Sequence, residues 1–254
     1  MGRVFELGGL NYMDIVSIHN YEGAKGPEEA GLAERIKIAK RLIKKYGGKQ
    51  PLWVTEYGFF SAPRVAGRIM TQDEINEKIK EGKRYGKGTN GVWRGWMAPA
   101  LNEEVAAAYL VRQQVISIAN GIKRQFIWDD GIDIFGLFYH HLIPRLSAIT
   151  YAVNSYKIDG AKFIRKIDLG NPEDYGYLFR KGDKKILVIW TTKRSETIEL
   201  KLSGVRKVRI SDILDNVLGN KLEKGIITLT LTGNPIYVEG DYRDIKRAKD
   251  YKRY

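Results

Sequence analysis

The first part of the chain carries apolar positions in two rhythms, which together predict three strand–helix units. Unbroken apolar and β-branched runs predict buried strands at residues 12–19, 52–56 and 124–128. Apolar residues at helical spacing, with Pro, Asn or acidic residues before them, predict helices at 27–46, 103–119 and 144–156. A strand, a helix and a further strand in this order predict parallel strands joined by right-handed crossovers.

A long connection at 58–101 separates the second predicted strand from its helix. It contains a predicted short polar helix at 71–82 and a stretch rich in glycine and tryptophan at 85–96. Loops of this length inside a compact domain are usually functional. Trp93 and Trp96 therefore suit either a lid over a substrate or a contact between subunits.

The pattern changes near residue 158, after which no long helix is predicted. Short alternating runs separated by turn residues occur at 163–169, 175–179, 185–190, 197–202, 208–213, 226–231 and 236–238. Such runs predict a small antiparallel β-sandwich or barrel. We therefore expect an α/β region at 1–158, a β-sandwich at 159–240, and a basic tail at 241–254 that is either mobile or a docking helix.

Composition narrows the function classes. The 254 residues include no cysteine, which excludes disulfides, thiolate nucleophiles and cysteine metal sites. The chain has no run of about 18 uncharged apolar residues, and its N-terminus has no apolar signal region. We therefore expect no membrane span and a cytoplasmic location. Abundant Lys, Arg and Glu favour a thermophilic source.

The net charge of +13 raises the question of nucleic-acid binding. The charges are spread along the chain, and Lys alternates with Glu in the predicted helices. This distribution favours a solvated basic surface, so nucleic acid is not an expected partner.

The strongest chemical signal is the stretch 50–59. An apolar strand ends there on Glu56, and Tyr57-Gly58 follows, where the chain must turn. A carboxylate at the end of a dry strand costs desolvation energy unless it is paired or used. In an α/β barrel, that end of each strand bears the catalytic groups. Glu56 is therefore either a nucleophile or a structural carboxylate paired with Arg or Lys.

Three local patterns resemble the last three strands of a clan A glycoside hydrolase barrel, with family 39 and its relatives the most similar. Residues 14–21 (DIVSIHNY) resemble the sixth strand, 51–58 (PLWVTEYG) the seventh and 126–130 (FIWDD) the eighth. Residues 103–121 resemble the seventh helix, with its Ala-Tyr-Leu-Val-Arg run. The resemblance implies the last three strand–helix units of a (β/α)8 TIM barrel, followed by the small antiparallel β-sandwich often appended to it.

The resemblance also implies a retaining glycoside hydrolase with Glu56 as its nucleophile. The acid/base of this clan is a Glu after an Asn at the end of the fourth strand, and no Asn-Glu precedes residue 56. The pairs Asn76-Glu77 and Asn102-Glu103 lie in or at predicted helices rather than at strand ends. Strands one to five have no counterpart either, so we expect the acid/base to come from another chain, or activity to be absent.

Four further residues are candidates for binding the sugar. His19 and Tyr21 share a face of an extended strand, where His19 would bind a sugar hydroxyl and Tyr21 the nucleophile's oxygen; the alternatives are a strand-end histidine and a surface tyrosine. Trp128 suits either a stacking wall for a pyranose or barrel core. Asp129 would bind hydroxyls, stand in as the acid, or cap a loop.

No metal or cofactor is expected. The neighbours His140-His141 have no cysteine or close carboxylates to join them as ligands, and the glycines form no nucleotide-binding pattern. A carbohydrate is the expected substrate. Because half a barrel has open edges, we expect a homo-oligomer or a separate N-terminal barrel half as partner. The alternative function is a non-catalytic carbohydrate-binding or assembly protein derived from a glycosidase.

Overall fold

The computed structural model describes residues 1–62, 64, 66–80, 100–129, 136–139, 142–219 and 221–248. The chain forms two compact units, Met1–Ala148 and Ile149–Tyr254. The division falls earlier than the boundary expected at 158, inside a helix that begins in the first unit. The expected domain boundaries stay a prediction, and each unit is described separately below.

The first unit is built on three parallel strands in the order β1-β2-β3. Its strands are β1 (Val16–Asn20), β2 (Leu52–Tyr57) and β3 (Gln125–Ile127). Its helices are α1 (Gly2–Glu6), a 3-10 turn (Gly9–Tyr12), α2 (Leu32–Lys45), α3 (Gln72–Lys80) and α4 (Glu103–Ala119), and α5 (Leu146–Ile158) begins in it. The parallel strands and the helices between them agree with the sequence pattern.

The start of α4 agrees with the prediction from the sequence, whereas the start of α2 does not. Asn102 caps α4 as predicted, since its side chain accepts a hydrogen bond of 2.9 Å from the Val105 N–H. Helix α2 begins at Leu32 rather than at 27, because Gly31 adopts a φ of +70° that a helix cannot include. The apolar face of α2 is nevertheless the predicted one, with Leu32, Ile36, Ala39 and Ile43 buried.

A β-bulge interrupts the pairing of β1 with β2. Val54 pairs with Ile18, but the next pair is Glu56 with His19, so Thr55 is the extra residue. Side chains alternate between the two faces of a sheet, and one extra residue reverses the alternation beyond it. Glu56 therefore lies on the same face as His19, whereas strict alternation would place it on the face of Val54.

In its described residues, the second unit contains the end of α5 and eight antiparallel strands. They are β4 (Lys162–Lys166), β5 (Asp174–Lys181), β6 (Lys184–Thr191), β7 (Glu196–Ser203), β8 (Val208–Ser211), β9 (Ile226–Leu231), β10 (Ile236–Gly240) and β11 (Asp244–Arg247). They form a five-stranded sheet, β4-β5-β6-β10-β8, and a three-stranded sheet, β11-β7-β9. Buried residues from both sheets form one hydrophobic cluster, among them Leu187, Ile189, Leu200, Ile227 and Val238.

The prediction of a tail from residue 241 is wrong for Asp244–Arg247. These residues form β11, which pairs antiparallel with β7. Ile245 is fully buried in the cluster between the sheets, and this burial fixes a segment whose neighbours are charged. The Lys and Arg residues on either side masked the alternation. Residues 249–254 lie outside the described part of the chain.

Among the described residues, the helices are too short or too polar to cross a bilayer.

Candidate active site

Glu56 stands at the C-terminal end of β2, and two side chains from the end of β1 converge on it. The Tyr21 O–H donates a 3.0 Å hydrogen bond to Glu56 Oε2. His19 Nδ1 lies 3.3 Å from the same oxygen. The Glu56 side chain keeps 31 % of its surface exposed, so solvent reaches it. The expected contact of Tyr21 with Glu56 is thus present, whereas His19, which was expected to bind a sugar hydroxyl, lies beside the same carboxylate oxygen.

His19 and Tyr21 hold the carboxylate from one side only. Their rings meet edge to face at 86°, with centroids 6.5 Å apart. His19 is more open than the carboxylate, with 52 % of its side chain exposed. Because the contacts from Tyr21 and His19 both fall on Oε2, the two oxygens of Glu56 are inequivalent, and the carboxylate is oriented rather than freely rotating.

Helix α4 supports the ends of β1 and β2 through two consecutive glutamines that the sequence analysis did not single out. Gln114 Nε2 donates a 2.9 Å hydrogen bond to the hydroxyl of Tyr57, the residue that follows Glu56. Gln113 Nε2 lies 3.5 Å from the Asn20 carbonyl oxygen, next to Tyr21. All four residues are buried. Consecutive polar residues inside an otherwise apolar helix were the signal for this support.

The residue before these glutamines fixes the loop that follows Tyr21. Arg112 Nε donates to both carboxylate oxygens of Glu28, at 3.0 and 3.2 Å, and both side chains are buried. The Arg112 guanidinium also stacks over the Tyr109 ring at 4.7 Å. A buried, multiply hydrogen-bonded pair of this kind holds its two segments in one arrangement. The loop from β1 to α2 is therefore anchored to α4.

Trp128 and Asp129 follow β3 at the same end of the sheet. The backbone N–H of Trp128 donates a 2.8 Å hydrogen bond to the Tyr57 carbonyl oxygen, which ties Trp128 to the end of β2. The residue is 37 % exposed. Asp129 Oδ1 accepts 3.2 Å from the Leu137 N–H. The geometry of Asp129 is that of a loop cap, one of the alternatives considered for it, and the partly exposed Trp128 is not enclosed core.

Glu103, of the second Asn-Glu pair, is committed to a buried network. Its carboxylate accepts from Arg64 Nε at 2.9 Å, from the Tyr139 hydroxyl at 2.8 Å and from the Leu146 N–H at 2.7 Å. Burial, and then the hydrogen bond to Glu103, raises the pKa of Tyr139 to about 12. Through these hydrogen bonds, Glu103 connects α4 to the loop that follows β2 and to the start of α5.

Several residues named in the sequence analysis lie outside the described part of the chain: Trp93, Trp96, His140 and His141. Within the residues that are described, no three His, Asp or Glu side chains are grouped closely enough to hold a metal ion.

Comparison with known proteins finds similarity in structure alone. No family model and no curated protein matches the sequence. A family 39 glycoside hydrolase from the gut symbiont Bacteroides cellulosilyticus WH2 matches 93 % of the chain, with a TM-score of 0.64 and 20 % identity. A glucosidase from Croceicoccus marinus matches 97 %, with a TM-score of 0.56 and 11 % identity. A family 30 endoxylanase from Clostridium papyrosolvens C71 matches 91 %, with a TM-score of 0.55 and 13 % identity.

The chain spans about half the length of these solved structures, covering 46 %, 58 % and 50 % of them respectively. At such low identities a shared structure establishes the fold and not the activity. The chain has a glycosidase-like fold, and the solved structures that it resembles are TIM-barrel glycoside hydrolases with additional domains.

Proposed function

We propose that this chain is the nucleophile-bearing part of a retaining glycoside hydrolase. In this proposal, β1, β2 and β3 are three strands of a (β/α)8 barrel, and the second unit is its appended β-sandwich. The observation that carries it is the oriented, solvent-reached carboxylate of Glu56 at the C-terminal end of a parallel strand. Catalytic groups of TIM barrels lie at that end of their strands.

The proposed reaction proceeds through a covalent intermediate. A Glu56 oxygen attacks the anomeric carbon as the glycosidic oxygen leaves, and water then hydrolyses the glycosyl-enzyme. Tyr21 and His19 keep the carboxylate aligned for attack, which removes part of the entropic barrier. The exposed ring of Trp128 offers an apolar wall to the C–H face of a sugar, and Asp129 shapes the loop beside it.

The acid/base of the proposed enzyme lies outside residues 1–254. Retention requires a second carboxyl about 5–5.5 Å from the first. Of the two Asn-Glu pairs in the chain, Asn102-Glu103 is held in the buried network with Arg64, and Asn76-Glu77 lies on α3. Neither ends a strand, which supports an external source of the acid.

A mechanism-based label tests the nucleophile without the acid/base. Glycosides with a 2-fluoro substituent and a dinitrophenyl leaving group need little protonation, and the 2-fluoro group slows the second step, so the glycosyl-enzyme accumulates. We expect a panel of such sugars to yield one that adds a single glycosyl mass to the peptide containing Glu56.

Substitution of Glu56 by Gln should abolish this labelling. Glu34→Gln, on the exposed surface of α2, is the matched control and should label like the unmodified chain. Equal labelling of the Glu56→Gln variant would disprove the assignment of the nucleophile.

The second candidate is a carbohydrate-binding protein without turnover. It is favoured by the absence of a strand-end Asn-Glu together with the exposed Trp128 ring. This reading predicts saturable glycan binding that is lost in Trp128→Ala, and no labelling of Glu56 by any sugar of the panel.

A further inference from the structure

Tyr57 lies next to Glu56 in β2 and points to the other side of the sheet. Glu56 pairs with His19 of β1, and its side chain is partly exposed. Tyr57 is fully buried, and its hydroxyl accepts the 2.9 Å hydrogen bond from Gln114 of α4. Because neighbours in a strand place their side chains on opposite faces, the end of β2 cannot turn the Tyr57 ring away from α4 without also moving the Glu56 carboxylate.

The pairing of β2 with its neighbours does not by itself fix this orientation. Relative to β1, Thr55 is an extra residue. The same holds relative to β3, because the paired position advances from Val54 to Tyr57 along β2 while it advances by only two residues along β3. An extra residue disrupts the ladder of backbone hydrogen bonds locally. Contacts from outside the ladder are therefore needed to orient the two residues that follow Thr55.

Gln114 supplies such a contact and is itself held in place. It is buried, and its backbone carbonyl accepts a 3.2 Å hydrogen bond from Gln125 Nε2 of β3. Further along β3, the backbone N–H of Trp128 donates to the Tyr57 carbonyl oxygen. These contacts form a closed ring that leads from the Tyr57 hydroxyl through α4 and β3 back to the Tyr57 backbone.

We propose that Gln114 is a positioning residue for the nucleophile. By holding the Tyr57 ring against α4, it keeps the Glu56 carboxylate on the opposite, partly exposed face of the sheet. Gln114 acts through Tyr57 and does not contact the sugar. The effect on the reaction rests on the proposed function, whereas the hold of Gln114 on Tyr57 can be measured without it.

Nitration of Tyr57 measures how firmly its ring is held. Gln114→Met keeps the length of the side chain and removes its hydrogen-bond donor. Tetranitromethane is applied to the folded chain, and mass spectrometry of its peptides gives the nitration rate of each tyrosine. We expect Tyr57 to react at least about fivefold faster in Gln114→Met than in the unmodified chain, the factor by which one net hydrogen bond shifts a two-state equilibrium. Tyr12, which is 90 % exposed, should react equally in both.

A matched variant separates positioning from a general loss of stability. Ile116→Ala removes apolar packing from the same buried stretch of α4. In urea denaturation it should lower the free energy of unfolding at least as much as Gln114→Met does. It should nevertheless leave the nitration rate of Tyr57 close to that of the unmodified chain, because the hydrogen bond to its hydroxyl is kept.

Labelling of Glu56 by the 2-fluoro glycosides measures the consequence for the reaction. Tyr57→Phe removes the same hydrogen bond as Gln114→Met by deleting one oxygen. In each variant the rate at saturating sugar should fall by at least about threefold while the half-saturating concentration stays unchanged, because alignment is lost and binding is kept. The double variant should be no slower than the slower single variant, since both remove one shared contact.

Three results would overturn the proposal. Nitration of Tyr57 that is as slow in Gln114→Met as in the unmodified chain would show that Gln114 does not hold the ring. Equally fast nitration in Ile116→Ala would show that Gln114 contributes only to general packing. Unchanged labelling rates in both Gln114→Met and Tyr57→Phe would show that the hold does not orient Glu56. If no sugar labels the unmodified chain, the proposed function fails by itself, and nitration still decides whether Gln114 holds Tyr57.

Discussion

At the scale of single residues, the proposed chemistry depends on the hydrogen bond from Tyr21 to Glu56. The sequence predicted that His19 and Tyr21 would share a face, because i and i+2 do so on an extended strand, and that Tyr21 would bind the oxygen of Glu56. It did not predict the contact of His19 with Glu56. It did not predict Gln113 and Gln114, since a helix pattern gives no indication of which strand end a buried polar side chain will reach.

Tyr21→Phe should slow the labelling of Glu56 by about 10- to 100-fold. A hydrogen bond to a charged group contributes about 1.5–3 kcal/mol, and each ~1.4 kcal/mol changes a rate tenfold. The measurement is the rate of glycosyl-mass addition. Tyr12→Phe, at a residue 90 % exposed, is the control. A rate unchanged in Tyr21→Phe would show that this hydroxyl does not act in the attack.

At the scale of elements, α4 is the support of the candidate site. Its capping residue, its length and its apolar character were predicted from the sequence. The three polar residues at 112–114, which carry the contacts to both strand ends, were not. Their role arises from tertiary packing, because only the folded unit brings Glu28, Asn20 and Tyr57 to this side of the helix.

Glu103→Gln should lower the free energy of unfolding by about 2–3 kcal/mol. Breaking a fully buried ion pair costs about 3–5 kcal/mol, and Arg64 is partly exposed, which reduces the loss. Urea denaturation measures it. The neighbouring Glu104→Gln, on an exposed position of the same turn, should be nearly neutral. Equal effects of the two substitutions would mean that the network contributes nothing.

A second network gives the second unit a defined acid response. Asp215 accepts from Arg209 at 2.6 Å and contacts Lys157 at 2.8 Å. The Arg209 hydrogen bond and then Lys157 lower the pKa of Asp215 from 3.8 to about 2. A depressed pKa stabilises the folded state above the unfolded-state value and loses that contribution as pH falls through the folded value.

The stability that Asp215 contributes should therefore disappear between about pH 4 and pH 2. We expect Asp215→Asn to be less stable than the parent at pH 7 and to approach it at pH 2, in denaturant midpoints taken across this range. Asp183→Asn, at an exposed turn, is the control. A stability difference that stays constant with pH would rule out the ion pairs as its cause.

At the scale of the whole molecule, the chain forms two compact units. The change of pattern near 158 predicted two regions, and the strands of the second were placed with ends shifted by only a few residues. The order in which the strands pair could not be predicted from the sequence, because the alternation of apolar and polar residues indicates which face of a strand is buried and not which strand lies beside it. The buried Ile245 of β11 was missed for a different reason, because its charged neighbours left only a single apolar position in that segment.

The cluster between the two sheets draws only on residues from 167 to 245. We therefore expect residues 149–248 alone to fold and to unfold cooperatively, with a single transition by both far- and near-ultraviolet circular dichroism. Leu200→Ala should lower the free energy of unfolding of this fragment by about 2–5 kcal/mol. Thr228→Ala, at an exposed position of the neighbouring strand, should change it little. A fragment with no near-ultraviolet signal would refute the independence of this core.

The bulge at Thr55 determines which face of the sheet carries the Glu56 carboxylate. If Thr55 paired with His19 instead of remaining unpaired, Glu56 would pair one position further along and turn towards the helices with Val54, away from His19. Deleting Thr55 would instead place Glu56 directly after Val54, where it would still pair with His19 on the same face. Replacing Thr55 by Val, which has a similar volume, would leave the number of residues in β2 and the face of Glu56 unchanged. A one-residue slip of β2 that pairs Thr55 and so closes the bulge should thus disturb the site far more than most substitutions within 52–56, because it would separate the Glu56 carboxylate from His19.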